Sequence, residues 1–155
     1  MKNWNDSIRH GIVSGAFASV LSTAALAACG RRETGSLFAP TNAISHWLWG
    51  DKAMRQDAPT FKYTAPGYVI HHASATFWAI LFEHYADSLL DRKNSSTTLK
   101  ASLAASAVAC FVDYKMTPYR LQPGYEARLS RPSLFLVYAA FGVGLALGAH
   151  AIRRK

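Results

Sequence analysis

Charged residues along this chain are spaced so that three long stretches carry none. Residues 10–30 (HGIVSGAFASVLSTAALAACG), 63–82 (YTAPGYVIHHASATFWAILF) and 132–152 (PSLFLVYAAFGVGLALGAHAI) contain no Asp, Glu, Lys or Arg. At ~1.5 Å per helical residue each is long enough to cross a ~30 Å hydrocarbon core. A fourth stretch, residues 94–112, carries only Lys100 near its start, and that side chain can snorkel to the headgroups. The pattern predicts an all-α protein, a transmembrane four-helix bundle with spans at about residues 8–28, 66–90, 97–114 and 132–152. A soluble bundle whose helices are apolar on every side is the competing reading.

Local signals place the helix ends. Pro66 and Pro132 suit first helical turns, with Thr64 and Ser130 as caps ahead of them. Small residues recur four apart at Gly11, Gly15, Ser19, Thr23 and Ala27, at Ser102, Ser106 and Cys110, and at Ala140, Gly144 and Gly148. In lipid such ladders mark faces where helices approach closely, either in one chain or between copies. The segment 30–65 is too long for a bare connection. Within it Thr41 can cap a short helix, NAISHWLWG, ending at Gly50, with Ala43, Ile44, Trp47 and Leu48 on one face. This predicts an extra short amphipathic helix in the first outer loop, lying on the membrane or covering the bundle mouth. The loop after the third span is punctuated by Pro118 and Pro123-Gly124, and Asp113, Arg120, Glu126 and Arg128 are candidates for ion pairs that fix it.

Composition adds limits. At 155 residues the chain is one integral membrane domain, and its mean hydropathy close to zero conceals the uncharged runs. With four spans, Lys2, Arg9, Arg92, Lys93, Lys100, Arg153, Arg154 and Lys155 share one side. Arg31, Arg32, Lys52, Arg55, Lys62, Lys115, Arg120, Arg128 and Arg131 share the other. The first set is concentrated in short segments, which puts both termini in the cytoplasm. The net charge of +8 is met by anionic lipid at these flanks. No basic cluster is interleaved with aromatics, so no nucleic-acid partner is expected.

Cys29 and Cys110 admit several fates. Leu26-Ala27-Ala28-Cys29 after a basic start and an apolar run resembles a bacterial lipoprotein signal, which implies lipidation of Cys29. The cytoplasm-in topology also brings Cys29 and Cys110 toward one outer face, where a disulfide can form. Two small buried thiols are the plain alternative.

Ionisable groups inside spans are the candidate chemistry. On the second span His72, Thr76, Glu83 and Asp87 fall within a ~60° arc, a polar stripe that should face protein or water. His72 and Glu83 lie ~16 Å apart along the axis and cannot share one metal ion. His71, His72 and Asp113, with Tyr114 and His46 nearby, form an outer layer that is the candidate metal site. His10, Glu83, His84, Asp87 and His150 form a cytoplasmic layer. Haem, a transition metal or a proton relay can use such layers, and plain interhelical hydrogen bonding can account for them too. No cofactor is predicted outright. There is no HExxH, CxxC, nucleophile–base pair or phosphate loop, so no enzymatic activity is specified.

The arrangement resembles the uncharacterised small bacterial inner-membrane proteins of the YagU-like type. The features that carry the resemblance are the small-residue first helix, the long outer loop, the segment GYVIHHASATFWAILFEHYAD and the closing FVDYKMTP. It implies an inner-membrane location and no active site. The expected function is that of an accessory or structural subunit, packing by its helices against a membrane-protein partner or a second copy. The alternatives are a small proton-linked or solute transporter using the polar stripe and a haem- or metal-binding membrane protein. A lone four-helix bundle without an inverted repeat is small for alternating access.

Overall fold

The computed structural model describes residues 3–154. The described residues form seven α-helices, numbered in chain order: α1 (Trp4–Thr34), α2 (Ala39–Ile44), α3 (His46–Trp49), α4 (Thr64–Tyr85), α5 (Asp87–Leu90), α6 (Ser95–Phe111) and α7 (Arg131–Arg153). Short 3-10 turns follow at Gly50–Arg55, Tyr119–Leu121 and Tyr125–Ala127, and a π turn at Val112–Met116 extends α6. Among the described residues three helices are long and apolar enough to cross a membrane: Trp4–Thr34, Ser95–Met116 and Arg131–Arg153. That is the pattern of a multi-pass membrane protein. The helix between them, α4, has 22 residues and bears His72, Thr76 and Glu83 of the polar stripe.

The helix ends have local causes. At α1 the expected span 8–28 is lengthened to 31 residues, because nothing breaks it before Gly35, which takes φ 77° just past the last turn. Arg31 and Arg32 in that turn complement the helix dipole. α6 starts under an Asn94 cap, whose Oδ1 accepts the Thr97 N–H at 2.9 Å. It closes where the N–H and hydroxyl of Thr117 both donate to the Val112 carbonyl, ahead of Pro118. α7 matches the expected 132–152 to within a residue at each end.

Several expectations are corrected. The second span does not run unbroken to residue 90. It stops at Tyr85, and α5 restarts at Asp87, a residue that favours helix starts; the turn buries Leu90 completely. The single loop helix over 42–50 is two pieces that part at Ser45, with Pro40 rather than a Thr41 cap opening the first. Ala43 and Ile44 are buried, but Leu48 is exposed, so the four apolar residues do not share one face. Thr64 is the first residue of α4 rather than its cap. Its hydroxyl accepts the Thr60 N–H and donates to Asn42 Oδ1 at 2.6 Å. At α7 the Ser130 N–H and hydroxyl both go to the Glu33 carboxylate at 2.7 Å, and the Ser133 hydroxyl donates to it as well. A carboxylate from α1 therefore does the capping.

The chain divides into two compact units. The first comprises residues 1–22, 72–109 and 138–155, and the second residues 23–71 and 110–137.

The first unit is held by its small residues. Along the α1–α4 seam each step of four on α1 meets a step of four back on α4. Ser7 lies at 3.1 Å from His84 Nδ1, Gly11 lies over Ile80, and Gly15 over Thr76. A Cβ on Gly15 would lie 2.7 Å from the Thr76 Cα, so only glycine permits this approach. The next face of α1 meets α7, with Ser14 against Gly148 and Ala18 against Gly144. α7 in turn meets α6, where Gly142 lies against Leu103 and Ser106, and the Ser106 hydroxyl donates to the Tyr138 carbonyl at 2.6 Å. Gly11, Gly15, Ser106, Gly144 and Gly148 of these ladders thus meet helices of the same chain. Ala75, Ala79, Phe82, Phe141 and Leu145 fill the core they enclose.

The second unit is built around Asn42, which is fully buried. Its amide donates to the Gln56 and Ala58 carbonyls at 3.0 and 2.9 Å. Arg128 does not pair within its own loop as expected. It reaches the Met54 carbonyl at 2.9 Å and Asp57 Oδ1 at 2.5 Å. Arg120 donates to the Trp47 carbonyl, and the Tyr114 hydroxyl donates to Glu126. The loop is fixed mainly by hydrogen bonds to backbone.

Candidate functional site

His10, Glu83 and Asp87, three of the residues read from the sequence as a cytoplasmic layer, gather inside the first unit. Glu83 is fully buried on α4. Its Oε1 accepts the Ser14 hydroxyl of α1 at 2.6 Å, and its Oε2 accepts from the Arg153 guanidinium of α7 at 3.0 Å. His10 Nδ1 stands 3.8 Å from the same Oε2. A buried carboxylate persists only if paired and hydrogen-bonded, and Glu83 is both.

Arg153 is the hub. Its side chain is 8% exposed, and it also donates from Nε to Asp91 Oδ1 at 3.0 Å and approaches Asp87 at 3.8 Å. One guanidinium thus ties α4, α5 and the following turn to the end of α7. Its planar fork of five donors permits this where a lysine ammonium would not. Beside it, His84 is stacked on Trp4 with ring centroids 3.8 Å apart and is edge-on to Tyr85.

Three residues of the expected polar stripe, Thr76, Glu83 and Asp87, contact neighbouring helices. Thr76 is pressed against Gly15 and donates back to the His72 carbonyl at 2.9 Å, while Glu83 and Asp87 both meet Arg153. The sequence reading missed Ser14 and Arg153 as the partners. The available signal was that Arg153 and the Glu83–Asp87 pair were assigned to the same membrane boundary.

The outer layer is less convergent. His46 is buried and its Nδ1 donates to the Ala43 carbonyl at 2.9 Å, with Gly124 packed against the ring. His71 stands edge-on to Tyr125 at 6.4 Å. Among the described residues no three His, Cys, Asp or Glu side chains are grouped to hold a metal ion, and His71, His72 and Asp113 form no such group. Cys29 is buried, Cys110 is half-buried, and both thiols are free.

Comparison of the chain with protein-family models, with curated proteins and with solved structures finds no match.

Proposed function

We propose that this chain is a four-span bacterial inner-membrane protein with both termini in the cytoplasm, acting as a structural or accessory subunit through helix packing. The observation that carries this reading is the saturation of Glu83. The most buried ionisable group of the stripe spends both oxygens on Ser14 and Arg153, and so locks three helices of its own unit together. A group of this kind organises a bundle rather than lining an open path.

The outward residues support the four spans. Ile12, Phe17 and Val20 on α1, Val108 and Phe111 on α6, and Phe135, Leu136 and Leu147 on α7 are all exposed. Apolar exposure on this scale is costly in water and costs nothing in lipid. On α4, Val69 and Phe77 are exposed at 64% and 57% while the stripe turns inward, as a span with one polar face requires. The YagU-like resemblance agrees with this placement. A partner subunit or second copy would dock on the lipid-facing sides, where α6 is the least covered of the three candidate spans.

A proton-linked role is the second reading, favoured by one feature. The His10 side chain is 30% exposed and stands between solvent and Glu83. A titratable imidazole at that place can pass a proton to a buried carboxylate.

The test has two stages. Alkaline carbonate should leave the protein in the membrane pellet; its release as a detergent-free soluble species would refute the membrane assignment. Photo-crosslinkers at Ala104 and Val108 should then capture a protein neighbour in native membranes, and exclusive capture of lipid would refute the subunit role. A proton flux in proteoliposomes abolished by Glu83→Gln would establish the second reading instead.

A further inference from the structure

We propose that Leu48, Trp49, Phe61 and Lys62 form an interfacial lipid anchor on the second unit, with Lys62 binding the phosphate of an anionic phospholipid. This rests on the membrane reading above and goes beyond it by naming the residues and the headgroup chemistry.

Two segments distant in sequence are fixed together to make the anchor. The Trp49 indole N–H donates to the Lys62 carbonyl at 2.8 Å, joining the end of α3 to the turn before α4. Around that link the apolar side chains point away from the unit. Phe61 is 92% exposed, Leu48 57% and Trp49 44%. Three large apolar side chains on a hydrogen-bonded platform form a protrusion that the described residues leave largely open. Tryptophan beside phenylalanine and leucine is the composition that settles at the boundary between headgroups and acyl chains.

The charge at the same place selects the lipid. The Lys62 ammonium stands over two rings, 5.2 Å from the Trp49 centroid and 5.3 Å from that of Tyr63. The rings hold the cation by its attraction to their π faces and leave its N–H donors open. Among the described residues no carboxylate pairs with it. An uncompensated ammonium held at the rim of an apolar protrusion matches an anionic lipid, which brings a phosphate and an acyl chain together.

The experiment uses the full chain reconstituted in phosphatidylcholine vesicles, with and without phosphatidylglycerol, each lipid in turn brominated near the carbonyl end of its chain. The chain has four tryptophans, so Trp49 is read as the emission lost in Trp49→Phe. We expect bromine to quench that component and an indole introduced by Phe61→Trp in the same background. Excess quenching by brominated phosphatidylglycerol over brominated phosphatidylcholine should fall about fivefold in Lys62→Gln, the factor expected for one basic residue at an anionic surface. Inorganic phosphate should not compete; if it does, the site is one for free phosphate and the lipid assignment is wrong.

If the remaining tryptophans are quenched by bromine while positions 49 and 61 answer only to aqueous acrylamide, the anchor fails and the membrane reading stands. Shielding of both positions from both quenchers means that protein covers the patch, which also overturns the anchor. Equal quenching by the two lipids, unchanged by Lys62→Gln, removes the headgroup assignment. Absence of bromine quenching at every tryptophan overturns the membrane reading itself.

Discussion

Replacing Arg153 by methionine removes one guanidinium and leaves Glu83 buried with only the Ser14 hydroxyl and the more distant His10. The four interactions of Arg153 are unequal. Asp91 is 62% exposed, and a pair of that kind contributes about 0.2–1 kcal/mol. The Asp87 contact is long at 3.8 Å, and the bond to the Ala149 carbonyl at 3.3 Å lies within α7 itself. The Glu83 contact joins a fully buried carboxylate to a guanidinium 8% exposed. Breaking such a pair from one side costs about 3–5 kcal/mol, because the remaining charge has lost its partner. Arg153→Met should therefore destabilise the first unit by about 3–5 kcal/mol. Asp91→Asn should cost less than about 1 kcal/mol. The double variant Arg153→Met with Glu83→Gln should recover most of the loss, since a neutral amide no longer needs the guanidinium. Reversible unfolding in mixed micelles, followed by circular dichroism across an SDS titration, measures all four species. An Arg153→Met variant within about 0.5 kcal/mol of the parent would refute the hub role. So would an Asp91→Asn loss equal to that of Arg153→Met.

Other substitutions probe other parts of the structure. Gly148→Leu places a side chain where a Cβ already lies 2.5 Å from the Ser14 Cα. It should separate α1 from α7 at a cost of at least about 1–3 kcal/mol, visible in the same titration. Gly35→Ala meets nothing within 4 Å and only forces alanine to φ 77°, so its loss should stay near ~1–2 kcal/mol. Asn42→Ala frees the Gln56 and Ala58 carbonyls and the Thr64 hydroxyl; a loss of about 1–3 kcal/mol should appear as faster tryptic cleavage after Arg55. Ser14→Ala removes one bond to Glu83 while keeping Arg153, and should cost less than Arg153→Met in direct comparison.

The amino-acid order alone specifies the long helices, because lipid requires uninterrupted apolar length and charge-free runs record that length directly. It also determined which faces are close-packed, since glycine and serine at four-residue spacing leave room for a backbone and little else. The inward turn of Thr76 and Glu83 followed from helical periodicity alone.

What those faces meet is set by the folded arrangement of distant segments. That Ser14 and Arg153 close on Glu83, from positions 69 and 70 residues away, depends on the register of three helices. No local pattern encodes such a register. The break at Ala86 was hidden for a related reason: neither proline nor glycine marks it, and the burial of Leu90 comes from the core cluster it joins. The capping of α7 by Glu33 and the span of Arg128 to Asp57 are likewise contacts between distant segments. The residue type supplies the donor or the charge, and the fold selects its partner from every acceptor within reach.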